Sequence, residues 1–243
     1  MWIKICGITS IQDGRTAVTA GADAIGFVFA ESPRRITPEA ARQIAESLPP
    51  EVEKIGVFVN TPLDVVLHTV EHAHLTGVQL HGEDSAATAS FLREEGEKIV
   101  REFRVVRVLH YAGNADRFGL QMRNMMDADR AATVLVDTGL AGRSGGTGIP
   151  FDWDAAEASF RCAAGKLHLI AAGGLTAENV ARAIATLQPW GVDVSSGVES
   201  APGRKHPERV EAFVQAARAA AQLAWTPGAA EVKLKSREGI HGI

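Results

Sequence analysis

Short apolar runs rich in β-branched residues alternate along the chain with amphipathic stretches rich in Ala, Glu and Arg. Eight of the runs predict strands that start near residues 2, 24, 54, 77, 98, 133, 167 and 191. Their sequences are WIKICG, AIGFVFA, KIGVFVN, GVQLHG, KIVREFRV, TVLVDT, LHLIAAGG and GVDVSSGVE. Their nearly continuous apolar character is typical of parallel strands that helices cover.

Helical patterns lie between these runs, as in PEAARQIAESLP, SAATASFLREEG and TAENVARAIATLQ. Only the fifth helix is indistinct, because its stretch opens like a loop. Three threonines provide helix-start signals, and they are Thr37 before Pro38, Thr61 before Pro62, and Thr176 two residues before Glu178.

Eight strand–helix cycles, repeating about every 20 to 35 residues, predict an α/β fold: a single-domain (β/α)8 TIM barrel. A doubly wound open sheet is the structural alternative. It usually has fewer units and a GxGxxG motif after its first strand, which this chain lacks. We place the barrel at residues 1–222 and interpret residues 223–243 as a flexible or surface-packed tail.

Composition narrows the classes of partner. A hydrophobic fraction of 46% is enough for a full core, and a net charge of −4 without a basic block argues against nucleic acid. No apolar run has the length of a membrane span, and the N-terminus has no secretory pattern. The two distant cysteines, Cys6 and Cys162, favour a reducing cytoplasm over a disulfide scaffold.

Candidate chemistry collects where the predicted strands end, which in this barrel is the functional face. Cys6 ends the first strand, directly before Gly7. A cysteine that served only as a small buried side chain could stand anywhere along such a strand, so its position at the end indicates a functional role. The other strand ends and their loops carry polar or small residues, which are Arg34 and Arg35, His81, Asp137, Gly173, Gly174, Asp193, Ser195, Ser196 and Gly197.

The last two strands predict a phosphate site. Gly173 and Gly174 precede a helix start, and Ser195, Ser196 and Gly197 lie in the neighbouring loop. Backbone N–H groups, hydroxyls and a helix dipole favour an anion there. The structural alternative is that the glycines only permit tight turns.

Cys6 and Asp137 form a candidate acid–base pair. A cysteine is a base only as thiolate, so a nearby cation such as Arg34 or Lys4 would have to lower its pKa, although Lys4 should point away from Ile3 and Ile5. Asp137 ends an apolar run, where burial would raise its pKa and let it donate a proton. Both also have ordinary structural interpretations, as a buried thiol and a turn cap.

Two weaker signals lie on helices. His68 and His72 share a helical face and could bind a divalent metal, but a third ligand is missing, so we predict no metal site. Cys162 lies among Ala and Phe residues, which favours packing against the barrel.

Several segments together are similar to the phosphoribosylanthranilate isomerases of tryptophan biosynthesis, in order from about residue 2 to about residue 222. The segments are KICGIT, GADAIGFVF, SPRRITPEAA, GVFVN, VQLHG, VDTGLAGRSGGTGIPFDW and VDVSSGVESAPGRKH. The resemblance implies the Amadori rearrangement of N-(5′-phosphoribosyl)anthranilate to 1-(2-carboxyphenylamino)-1-deoxyribulose 5-phosphate. No cofactor is implied, because the substrate imine is the electron sink.

The resemblance also implies roles for individual residues. Cys6 corresponds to the general base and Asp137 to the general acid. Arg34 corresponds to the arginine near the anthranilate carboxylate, while His81 and Asp193 have orienting or electrostatic roles at the barrel mouth. The segment from Gly139 to Gly148 resembles a loop that closes over the substrate, and Arg101 stands on strand five where the family often has lysine.

Three other functions stay open. A lyase or synthase barrel such as indole-glycerol-phosphate synthase would want a lysine at a strand end, whereas Lys4, Lys54 and Lys98 lie near predicted strand starts. A histidine-pathway isomerase would want an aspartate in place of Cys6. A non-catalytic barrel that binds a phosphorylated metabolite is the third. We expect a cytoplasmic monomer or homodimer with a small phosphorylated substrate, no nucleic acid and no membrane.

Overall fold

A computed structural model describes residues 1–82, 86–128, 132–138 and 150–224. The strands of these ranges are β1 (Trp2–Cys6), β2 (Ala24–Val28), β3 (Glu53–Val59), β4 (Gly77–His81), β5 (Arg104–Tyr111), β6 (Thr133–Thr138), β7 (His168–Ala171), β8 (Gly191–Val194), β9 (Glu199–Ala201) and β10 (Arg204–Lys205). The helices are α1 (Ile11–Thr19), α2 (Pro38–Glu46), α3 (Leu63–His72), α4 (Ala86–Glu97), α5 (Ala115–Ala128), α6 (Trp153–Ala163), α7 (Val180–Leu187) and α8 (Pro207–Ala224), with a 3-10 turn at Ser196–Val198.

The parallel strands β1 to β8 pair in sequence order within the described ranges, and β8 returns to β1 to close the barrel. Lys4 lies opposite Asp193 across the closing pair, and Cys6 lies opposite Gly26 on β2. The predicted (β/α)8 barrel is confirmed. The short pair β9–β10 is an antiparallel ribbon between β8 and α8.

The two faces of each strand enter different cores. Ile3 and Ile5 of β1 face outward and pack in the large layer between barrel and helices. Trp2 faces inward and packs with Ile55, Leu135 and other interior residues. Because alternate residues of a strand point to opposite faces, Lys4 and Cys6 project into the barrel with Trp2.

Aromatic rings close the amino-terminal end of the barrel. Trp190 stacks on Trp2 at a centroid distance of 5.4 Å and on His168 at 4.6 Å. The Arg104 guanidinium lies 5.1 Å from the Trp190 ring and forms two hydrogen bonds, of 2.5 and 2.8 Å, with the Glu53 carboxylate. The carboxyl ends of the strands therefore form the open end.

The prediction for strand five was wrong in position. β5 begins at Arg104, so Lys98 and Arg101 lie before the strand rather than in it. The amides of Ile99 and Val100 donate to the Gly96 carbonyl at 2.9 Å, which makes these apolar residues a turn around the end of α4.

One of the three predicted threonine caps is confirmed. The Thr37 hydroxyl accepts from the Ala40 amide at 3.3 Å and caps α2. Thr61 does not cap α3, because its hydroxyl donates to the Val59 carbonyl and the cap position is Pro62. Thr176 does not cap α7 either, which begins four residues later at Val180.

None of the described helices has both the length and the apolar character that crossing a bilayer requires. Helix α8 continues to Ala224, and the remainder of the predicted tail lies outside the described residues.

Thr37, which caps a helix, and Thr61, which does not, give a matched test of stability. Thr37→Ala should lower the free energy of unfolding by about 1 kcal/mol, because it leaves an amide of the first turn of α2 without its acceptor. Thr61→Ala, at a threonine that caps nothing, should cost less than half as much. Urea unfolding of both variants checks this, and equal losses would contradict the cap assignment.

Candidate active site

Cys6 lies at the open end of the barrel, where β1 stops. Its side chain is buried, with only 7% of the residue exposed. A Cβ atom on Gly26 would come within 2.8 Å of the Cys6 sulfur, so glycine on the neighbouring strand is what makes room for the thiol. The Ser195 hydroxyl donates to the Cys6 carbonyl at 3.1 Å and ties the end of β1 to the loop after β8.

Opposing charges act on the Cys6 thiol. Burial raises its pKa above the ordinary value, and the Asp193 carboxylate adds to that rise. The ammonium groups of Lys4 and Lys205 lower the pKa but do not cancel the effect of burial. In the free protein the thiol form therefore dominates at neutral pH.

Asp137 is the next-to-last residue of β6 and is 8% exposed. Burial raises the pKa of its carboxyl. The Thr138 amide, which donates to Oδ1 at 2.7 Å, lowers the pKa but does not cancel the effect of burial. A Cβ atom on Gly173 would lie 2.5 Å from the same Oδ1, so the loop after β7 approaches Asp137 as only a glycine can. A carboxyl group with a raised pKa is suited to donate a proton.

His81 ends β4 as a neutral imidazole. Burial, together with the charges of His110 and Lys4, lowers its pKa to about 4. Gln79 Nε2 lies 2.7 Å from His81 Nε2, and the two histidine rings are 5.9 Å apart. His110 pairs in register with Asp137, and sequence reasoning missed it because the predicted fifth strand ended before this residue.

The Arg34 guanidinium binds a carboxylate of the protein itself. Its Nε and Nη2 donate to Glu199 at 2.8 and 2.7 Å. Lys205 Nζ donates to the same carboxylate at 2.9 Å and to the Ser195 carbonyl at 3.2 Å. As far as the described residues go, three of the five N–H groups of Arg34 remain for another acceptor. Sequence reasoning missed Glu199 and Lys205, although both lie in the quoted segment VDVSSGVESAPGRKH.

Asp193 is the ion-pair partner of Lys4. Lys4 Nζ lies 2.7 Å from Asp193 Oδ1 inside the barrel, and the lysine is fully buried. Burial by itself would lower the pKa of Lys4, but Asp193 and Cys6 raise it above the ordinary value, so the ammonium persists. The expectation that Lys4 points away from Ile3 and Ile5 is confirmed by this contact.

The loops after β7 and β8 meet beside the site. Gly173 and Gly174 have left-handed backbones, with φ of 79° and 63°. Asn179 Nδ2 donates to the Gly174 carbonyl at 2.9 Å and holds that loop. Gly197 abuts the Leu175 carbonyl so closely that a side chain would overlap it.

Four backbone amides lie at this junction. The N–H groups of Gly173, Gly174, Ser196 and Gly197 have no acceptor among the residues with described positions. The Ser195 hydroxyl donates its proton to the Cys6 carbonyl in this structure, and its role as a phosphate ligand stays a prediction. These four N–H groups are suited to binding an anion.

Predictions from the sequence also concern Cys162, the histidines of α3 and the segment from Gly139 to Gly148. Cys162 is exposed on α6, so its predicted core packing is wrong. On α3, His72 Nε2 lies 3.3 Å from the Glu39 carboxylate of the neighbouring helix. The predicted closing segment from Gly139 to Gly148 lies outside the described residues.

The family model described as N-(5'phosphoribosyl)anthranilate (PRA) isomerase matches residues 3–216. This chain belongs to that family. The N-(5'-phosphoribosyl)anthranilate isomerase of Citrifermentans bemidjiense is 44% identical over 217 residues, which are 89% of this chain and 96% of the relative.

Solved structures of the family agree with the fold. The phosphoribosyl anthranilate isomerase of Thermotoga maritima matches with a TM-score of 0.74 and 35% identity, over 90% of this chain and 99% of that one. A second phosphoribosyl anthranilate isomerase, in complex with reduced 1-(o-carboxyphenylamino)-1-deoxyribulose 5-phosphate, matches with a TM-score of 0.72 and 34% identity over the same shares.

Two glycines with the same backbone angle separate strain from crowding. Gly173 and Gly113 both have φ of 79°, but a Cβ on Gly113 would meet nothing within 4 Å. Both alanine variants should lose about 1–2 kcal/mol of stability from the left-handed backbone. Gly173→Ala should also lose turnover of N-(5′-phosphoribosyl)anthranilate by about a hundredfold, because it displaces Asp137. Unfolding and turnover assays check this, and equal activity in the two variants would contradict it.

His81 gives a prediction about pH. Between about pH 6.5 and pH 4 the unfolded chain protonates this imidazole while the folded chain does not, so stability falls as pH falls. Between pH 7 and pH 4, His81→Gln should therefore lose up to about 3 kcal/mol less of its free energy of unfolding than the wild type does. Urea titrations of both proteins at pH 7 and pH 4 measure it, and identical falls in stability would contradict the neutral state of His81.

Proposed function

We propose that the chain converts N-(5′-phosphoribosyl)anthranilate to 1-(2-carboxyphenylamino)-1-deoxyribulose 5-phosphate in tryptophan biosynthesis, with Cys6 as general base and Asp137 as general acid. Membership of the PRA isomerase family supports the reaction. The observation that carries the residue roles is the burial of both side chains at the open end of one barrel, each at the end of its strand.

The reaction begins with two proton transfers, one from Asp137 and one to Cys6, and involves no net redox change. Asp137 donates its proton to the ring oxygen, the bond from C1′ to that oxygen breaks, and the nitrogen lone pair forms the C1′ imine as a cation. Cys6 thiolate then removes the C2′ proton, and the electron pair moves into a C1′–C2′ double bond as the imine nitrogen is neutralised. The enolamine gains a proton at C1′ and loses the hydroxyl proton at C2′, which gives the ketone.

The sequence of steps begins with Asp137 protonated and Cys6 ionised. Burial raises the pKa of both groups, which favours the protonated acid but opposes the thiolate. Cations that stabilise the thiolate therefore increase the share of molecules in the productive state.

Anion recognition orients the substrate between these groups. The amides of Gly173, Gly174, Ser196 and Gly197 are suited to the phosphate. The remaining N–H groups of Arg34 are suited to the anthranilate carboxylate, since Glu199 fixes the guanidinium from one edge. His81 as a neutral ring and Asp193 as the partner of Lys4 then have orienting and electrostatic roles.

Turnover of N-(5′-phosphoribosyl)anthranilate, generated in situ and followed by its fluorescence, tests the proposal. Cys6→Ser and Asp137→Asn should each lose about 10²- to 10⁴-fold in kcat, the usual contribution of a general acid or base. Cys162→Ser is the matched control, since it changes the exposed cysteine on α6 and should keep wild-type turnover.

The alternative of a non-catalytic binding barrel predicts a different result. In that case the wild type would bind the reduced product analogue but turn over nothing. If Cys6→Ser keeps wild-type turnover, the chain catalyses the reaction but Cys6 is not its base.

A further inference from the structure

A fully buried lysine lies directly below the thiol on the same face of β1. Lys4 and Cys6 are two residues apart, which is about 7 Å along a strand, and the lysine stem can span that distance. Across the closing strand pair, Asp193 binds the ammonium at 2.7 Å. An ion pair thus forms the layer of the barrel interior beneath Cys6.

Packing alone does not account for this pair. Removing two charges from water costs several kcal/mol per ion, and apolar residues of similar volume often replace a buried pair without loss. The layer toward the amino-terminal end is apolar, with Ile55, Leu135 and Ile170 filling the interior. Lys4 and Asp193 therefore call for an explanation other than filling the barrel.

The charges around Cys6 leave room for one more negative charge. Among the described residues the groups that face the thiol or pair with those that do are Lys4 of β1, Arg34 of the loop after β2, Asp193 of β8, Glu199 of β9 and Lys205 of β10. These are three cations and two carboxylates. Asp137 interacts with Lys4 and Asp193 through its charge, and with Asp137 protonated as the acid, a Cys6 thiolate would bring the cluster to neutrality.

The cations differ in how strongly they are held by other partners. Lys205 and Arg34 both bind Glu199, and Lys205 also binds the Ser195 carbonyl. Among the described residues, Lys4 has one carboxylate oxygen as its hydrogen-bonded side-chain partner besides the thiol. Since an ammonium has three donors, Lys4 keeps donors for a thiolate, whereas the N–H groups that Arg34 has left are assigned to the substrate carboxylate.

We propose that the buried Lys4–Asp193 pair positions and tunes the base. The Lys4 ammonium stabilises the Cys6 thiolate, and the Asp193 carboxylate weakens that stabilisation because it competes for the same ammonium. Lys4 is then a positioning residue rather than a catalytic one, because it acts through Cys6. The inference rests on the proposed role of Cys6 as the base and adds the group that makes the thiolate available.

Titration of the Cys6 thiolate tests this without turnover. The thiolate absorbance near 240 nm would be followed against pH in a Cys162→Ser background, with the Cys6→Ser/Cys162→Ser protein subtracted. Lys4→Met should raise the midpoint, so that the thiolate fraction at a fixed pH below it falls at least about tenfold. Asp193→Asn should lower the midpoint, because the ammonium loses its competing carboxylate.

The double variant Lys4→Met/Asp193→Asn serves as the control for a buried charge left alone. Its midpoint should lie above that of the parent and below that of Lys4→Met, since the lysine affects the thiol more than the aspartate does. If Lys4→Met fails to fold by circular dichroism, the order of the parent, Asp193→Asn and the double variant still decides the matter.

Opposite shifts in the two single variants support the inference. Unchanged midpoints, or shifts in the same direction, would overturn it, since a purely structural pair has no reason to move the thiol in both directions. Failure of the proposed role of Cys6 as base is seen separately, as wild-type turnover in Cys6→Ser, and that assay does not depend on the titration.

Discussion

The closing of the barrel between β1 and β8 is the constraint on which the site depends. It brings Lys4 into register with Asp193 and leaves Cys6 one layer above them, at the open end. The Ser195 hydroxyl then joins the loop after β8 to the Cys6 carbonyl. A slip of one residue in this pairing would turn Lys4 and Cys6 out of the interior and Ile3 and Ile5 into it.

Burial has opposite consequences for the two proposed proton-transfer groups. It raises the pKa of Asp137, which suits an acid, and raises the pKa of Cys6, which does not suit a base. The ammonium groups of Lys4 and Lys205 lower the pKa of Cys6, and the Thr138 amide with the charges of His110 and Lys4 lowers that of Asp137, but burial exceeds both effects. A dry site therefore suits the acid as it stands and requires cations near the base.

Strand ends were the part of the site that the sequence could predict. Cys6, His81 and Asp137 follow apolar runs, and in a parallel barrel those ends meet at one face whatever the loops do. Strand five failed because Ile99 and Val100, which look like a strand start, wrap around the end of α4. His110 was missed with it.

Contacts between distant segments were beyond the sequence. Arg34 and Glu199 are 165 residues apart, and no periodicity predicts that one guanidinium will bind that carboxylate. The same holds for Lys4 and Asp193, which meet only because β8 closes on β1. Cys162 shows the limit of local composition, since its apolar neighbours suggested a buried position that α6 does not give it.

The most direct test of the account is a crystal structure of this chain with reduced 1-(o-carboxyphenylamino)-1-deoxyribulose 5-phosphate. The account predicts the Cys6 sulfur within about 3.5 Å of C2′, the separation of reacting atoms in a near-attack geometry. It also predicts the phosphate on the amides of Gly174 and Gly197. A ligand with C2′ far from Cys6, or with its phosphate elsewhere, would contradict it.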